Sequence, residues 1–226
     1  MFLTHLKNPR KKMGNFVIIK FMKKNRILLV LGLLFVALLA FQIEAPAFLG
    51  FHKKAKATNE IVLDNFHKVS DKLYRGAKQN AEGYKKLKEM GIKTVVNLRT
   101  SNKEEKIVKE AGLNYVFIPT KTSKLGDDTI EKFLAVVSEP ENWPVFVHCY
   151  HGSDRTGAAV ASYRIVFEDY TPEEAHKEMT SGNYGFHSMW KNIEAYIKGL
   201  NKEKIEKWRA EFTKNLPKMK SKQEAN

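Results

Sequence analysis

With one cysteine, Cys149, in 226 residues, this chain has no internal disulfide. A reactive thiolate at that position has no partner cysteine to trap it, although over-oxidation stays open to it. Internal repeats are missing. So is any cluster of metal-ligand residues: His5, His52, His67 and His176 stand without suitably spaced partners and read as ordinary surface or core residues. Neither a metal nor a cofactor is expected.

Acidic residues are scarce only at the ends. The formal net charge is +14, but residues 1–57 hold 11 Lys/Arg against one acid, Glu44, and residues 201–226 hold 8 against 4. Residues 58–200 hold 20 of each sign, so the middle of the chain is formally neutral. Global charge is then no argument for nucleic acid, and none is expected as a partner.

Long apolar runs are also absent, with one exception. Residues 27–41, Ile27 to Phe41, form an unbroken stretch of 15, preceded by Lys20, Lys23, Lys24 and Arg26 and followed by Ala45-Pro46-Ala47. As a helix this run spans ~22 Å, short of a ~30 Å hydrocarbon core. A basic region, a short apolar core and small residues beyond it read as a secretory signal, or as a membrane anchor if uncleaved. Met22-Lys23-Lys24 offers a conventional signal start. The expectation is an exported chain, periplasmic or secreted, touching membrane only through this segment. Four parts follow: 1–47 signal or anchor, 48–60 linker, 61–200 the domain that carries Cys149, and 201–226 a basic helix and tail with a solvated face. We expect a monomer.

The chemistry concentrates at residues 145–157, Val-Phe-Val-His-Cys-Tyr-His-Gly-Ser-Asp-Arg-Thr-Gly. Val145 to Val147 is apolar and β-prone after Pro144, as in a buried central strand. From Thr156 the chain reads as helix to Phe167. A short loop between strand and helix points successive N–H groups of Tyr150, His151, Gly152, Ser153 and Asp154 at one anion, at the positive end of the helix. Gly152 falls where such a loop needs positive φ or close approach. The same field stabilises a thiolate on Cys149. Arg155, six residues after Cys149, supplies a fork of donors matching two phosphate oxygens. His148 is placed to order the loop, and the Thr156 hydroxyl to help the sulfur leave.

At these residues the chain resembles the protein-tyrosine-phosphatase superfamily, in its dual-specificity branch. Lys72-Leu73-Tyr74-Arg75-Gly76-Ala77 and Gly91 to Arg99 are similar to the opening strands of bacterial members, and Asn114 to Pro119 to the strand before their general-acid loop. The resemblance covers about residues 66–200. It implies a phosphocysteine intermediate hydrolysed by water. It further implies an α/β fold, a central, mostly parallel sheet flanked by helices, which the strand and helix alternation of the sequence also supports.

The resemblance fails at the general acid. Thr120 to Gly126 carries no carboxylate before Asp127-Asp128, at the start of the next helix, which Asp128 is read as capping. Asp154, inside the phosphate loop, is the alternative, since myotubularin-like and Sac-like phosphatases place an aspartate just before the loop arginine. Both assignments stay open. Lys121, Lys124 and His151 are expected at the pocket rim, and His187 at its wall. Resemblance to bacterial tyrosine-phosphatase-like phytases points to an inositol polyphosphate substrate. A phosphotyrosine protein is the alternative, and a phosphate-binding pseudophosphatase the second.

Overall fold

A computed structural model describes residues 61–214 and 216. The expected signal or anchor and the whole of the linker lie outside the described residues. Among those described, no helix is long and apolar enough to cross a membrane.

Five strands form one sheet: β1 (His67–Lys68), β2 (Leu73–Gly76), β3 (Thr94–Asn97), β4 (Asn114–Phe117) and β5 (Val145–His148). Their order is β1-β2-β5-β3-β4, parallel throughout except for β1, an antiparallel edge strand. The apolar run of β5 has no polar alternation because both its faces are covered. It lies between β2 and β3, with His148 opposite Gly76 on one side and Asn97 on the other.

Alternation still decides which helices each strand residue meets. Val145 and Val147 share a core with the helices α3 (Asp127–Ser138), α4 (Asp154–Phe167), α5 (Pro172–Ser181), α6 (Lys191–Lys198) and α7 (Lys202–Phe212). Phe146 turns to the other face, where α1 (Ala81–Glu89) and α2 (Glu105–Glu110) contribute Tyr84, Leu87 and Val108. Because β2, β3, β4 and β5 run the same way, the segments that follow them gather at one sheet edge, where open α/β sheets bind ligands.

Two features depart from the sequence reading. Gly126, in extended backbone, occupies the N-cap of α3, and Asp128 sits in its first turn, paired with Lys132 at 2.8 Å. The segment after residue 200 packs into the core instead of standing off as a solvated face. Trp208 and Phe212 are buried there, and the Trp208 Nε1–H donates to Glu131 at 2.9 Å. Lysines dominate its composition, but residues 208 and 212 are one turn apart and form a short apolar stripe.

The start of α5 is fixed by a capping box. Thr171 caps it, its Oγ1 accepting from the Glu174 N–H at 3.1 Å, while Glu174 accepts from the Thr171 N–H at 2.9 Å. Thr171→Ala is expected to cost about 1 kcal/mol in a denaturant titration and leave turnover unchanged. A cost below about 0.3 kcal/mol would show the cap to be idle.

Candidate active site

Residues 149–153 join β5 to α4, and Gly152 has φ +74°. A Cβ there would lie 2.3 Å from the Gly76 carbonyl carbon, so close approach and backbone conformation both require glycine.

The carbonyls of this loop are all engaged by the surrounding protein. The Cys149 oxygen meets His148 Nδ1 at 2.9 Å. That of Tyr150 accepts from the Lys78 N–H at 3.1 Å. His151 O accepts from Asn65 Nδ2 at 2.8 Å, and Gly152 O from Arg75 Nη2 at 2.9 Å. Ser153 O takes the Gly157 N–H of α4 at 2.7 Å. Five consecutive carbonyls bonded to the scaffold are the arrangement that frees successive amides for an anion-binding nest.

Arg155 is held in the same way. Its Nη1 donates to Leu98 O at 3.2 Å and to Thr120 O at 3.1 Å, the residues just past β3 and β4. Two carbonyls on one nitrogen fix the plane of the guanidinium, so its remaining donors form an oriented fork. Cys149 is buried at the base of the loop. Thr156 Oγ1, in the first turn of α4, is buried and makes no hydrogen bond within the protein.

This arrangement is suited to hold a phosphate group against a cysteine. A family profile described as "DSP-PTPase phosphatase fused to NAD+ Kinase" matches residues 52–195.

The chain belongs to the DSP-PTPase phosphatase family.

Among similar proteins is the dual specificity protein phosphatase TpbA of Pseudomonas aeruginosa, 31% identical over 138 residues. That match covers 61% of this chain and 63% of TpbA. The TpbA crystal structure superposes with a TM-score of 0.59 at 27% identity, covering 66% of this chain and 91% of that one. Inositol diphosphatase DSP3 of Arabidopsis thaliana is 30% identical over 110 residues, 45% of this chain and 54% of that protein.

The phosphatase loop of this chain is supported by residues that the motif does not announce. Arg75 is fully buried, donates to Gly152 O and lies 3.8 Å from the Tyr184 ring centroid. Burial lowers its pKa to about 10, still well above neutrality. Its signal was an arginine inside an apolar strand, beside a glycine. Asn65 joins the loop to the α5–α6 connection by donating to both His151 O and Tyr184 O.

His148 is completely buried, and that burial pushes its pKa down to about 4, so the neutral ring donates through Nδ1. Behind it stands Glu104, also buried, with Oε1 3.5 Å from His148 Nε2 and Oε2 2.8 Å from Arg99 Nη1. Burial raises the Glu104 pKa against the pull of Arg99.

The three aspartates are separated by the fold. Asp127 Oδ1 accepts from the Tyr196 hydroxyl at 2.9 Å and Oδ2 from Lys204 at 2.6 Å, so it faces α6 and α7. Burial works to raise its pKa, but these bonds prevail and lower it. Asp128 is 83% exposed on Lys132. Asp154 is buried and accepts from the His187 backbone N–H at 2.9 Å, with His187 Nδ1 at 3.0 and 3.1 Å from its two oxygens. Lys121 and Lys124 line a depression of about 440 Å³ with Thr120 and Asp128, next to the carbonyl that anchors Arg155. Tyr150, His151 and Lys78 line a second one of about 410 Å³ on the β2 side.

Proposed function

We propose that this chain hydrolyses phosphomonoesters through a phosphocysteine intermediate. The observation that carries this reading is the phosphate loop itself, with five carbonyls tied outward, Cys149 at its base and Arg155 pinned by two strand-end carbonyls. Cys149 Sγ attacks phosphorus while the bond to the leaving oxygen breaks. Water then attacks phosphorus, the S–P bond breaks, and phosphate departs with the thiolate restored. The loop amides and Arg155 neutralise the transferring group in both steps, and the Thr156 hydroxyl supports the sulfur in the second.

The substrate class proposed is phosphotyrosine on a protein. TpbA supports it: a Cys-to-Ser variant of that enzyme is solved in complex with phosphotyrosine, at TM-score 0.59 and 26% identity over 67% of this chain. Tyr150, 57% exposed on the loop, offers an aromatic edge to a tyrosyl ring. The inositol polyphosphate of the sequence reading becomes the second reading, favoured by Lys121 and Lys124 at one side of the loop and Lys78 at the other.

A panel of phosphotyrosyl peptides and inositol phosphates on the full chain decides between them. The peptides are expected to show the higher kcat/KM. The opposite order, with Lys121→Ala and Lys124→Ala raising KM only for multiply phosphorylated inositols, would establish the second reading. Export is likewise our proposal, and N-terminal sequencing of the mature protein should begin near Phe48 or Thr58. Intact protein in the cytosolic fraction would reject it.

A further inference from the structure

A phenoxide or alkoxide leaves phosphorus far more readily with a proton, and none of Asp127, Asp128 and Asp154 presents itself to give one. Asp127 and Asp128 are bonded elsewhere, and the Asp154 side chain is only 10% exposed, with both oxygens against His187. His187 has the complementary character: its side chain is 47% exposed. A carboxylate that accepts from Nδ1 fixes the tautomer and the ring plane and leaves Nε2 as the nitrogen free to work.

The backbone holds that ring beside the phosphate loop. Asn65 ties Tyr184 O to His151 O, Gly185 turns the chain at φ +76°, and the His187 N–H is anchored on Asp154, the residue before Arg155. The His187 ring centroid then lies 5.5 Å from that of His151, inside the loop.

We propose that His187 is the proton-transfer residue of this phosphatase and that Asp154 is its positioning residue. The proposal rests on the phosphocysteine reading. In the first step the S–P bond forms and the P–O bond breaks, its electron pair staying on oxygen, which takes a proton from Nε2 of the imidazolium. In the second step the neutral Nε2 accepts a proton from water as its oxygen attacks phosphorus and the S–P bond breaks. The sum is phosphomonoester plus water to alcohol plus phosphate, with His187 and Cys149 returned to their starting states.

The test is a series of aryl phosphates running from p-nitrophenyl to unactivated phenyl, with kcat/KM measured for the full chain and for His187→Ala, His187→Asn and Asp154→Asn. A positioned acid contributes roughly 10²–10⁴-fold, and most where the leaving group is poor. His187→Ala is expected to lose about 10²-fold on phenyl phosphate and less than about 3-fold on p-nitrophenyl phosphate, with added imidazole restoring the former. His187→Asn keeps a donor toward Asp154 but carries no transferable proton, so it should show the same split even if the alanine variant folds poorly. Asp154→Asn should shift in the same direction by a smaller factor. A uniform loss across the series without rescue, or no loss, overturns the proposal. Rapid quench of the wild type with labelled substrate separates the two levels: with no phosphocysteine and no turnover, the phosphatase reading falls and His187 with it. Phosphocysteine without the leaving-group split removes His187 alone.

Discussion

Cys149→Ser is expected to abolish turnover of p-nitrophenyl phosphate while inorganic phosphate still binds. The serine hydroxyl is a far weaker nucleophile near neutral pH than an activated thiolate, and losing such a nucleophile costs many orders of magnitude. Binding should survive because the anion is held by other parts. The loop carbonyls keep their bonds to His148, Lys78, Asn65 and Arg75, so the amides still converge, and Arg155 keeps its anchors. Turnover and calorimetric titration with phosphate, run on the same preparation, check both halves. Residual activity above about 1% of wild type would contradict a required thiolate.

Arg155→Lys is expected to lose at least about 10²–10³-fold in kcat/KM, the scale of removing one fixed donor to developing charge. The charge is conserved, so the loss measures geometry. Arginine bonds Leu98 O and Thr120 O through Nη1 and has a second face for phosphate. A lysine ammonium is a single point on a flexible stem and can satisfy the carbonyls or the anion, but not a bidentate fork. Thermal melting should show the variant folded. A loss under about 10-fold would mean that Arg155 contributes charge alone.

The strand, loop and helix around Cys149 were legible because each has a local cause. An unalternated apolar run predicts a doubly covered strand, Gly152 predicts the turn, and Thr171 with Pro172 predicts the entry to α5. What was not legible depends on contacts between distant segments. Arg75 reaches a loop carbonyl 77 residues away and Asn65 one 86 residues away; an arginine in an apolar strand stands out in the sequence, but neither partner does. The surroundings of the acid candidates were hidden for a related reason. Asp127 and Asp128 look suited to a helix start, yet extended Gly126 takes the cap and α7, read as an appendage, supplies the lysine that claims Asp127. What Asp154 meets was not legible because its partner His187 is 33 residues away and on another connection.

The outward bonds of the phosphate loop have a consequence for the folding equilibrium. Their donors come from the segment before β1, from β2, from the turn after it, from β5 and from α4, so the nest comes into being only when these separate segments have come together. The unfolded chain has no comparable receptor for an anion. On the proposed function, phosphate is expected to act as a folding ligand, adding about 2.7 kcal/mol to stability at a hundred times its Kd. The phosphate around the protein would then set how long its fold survives.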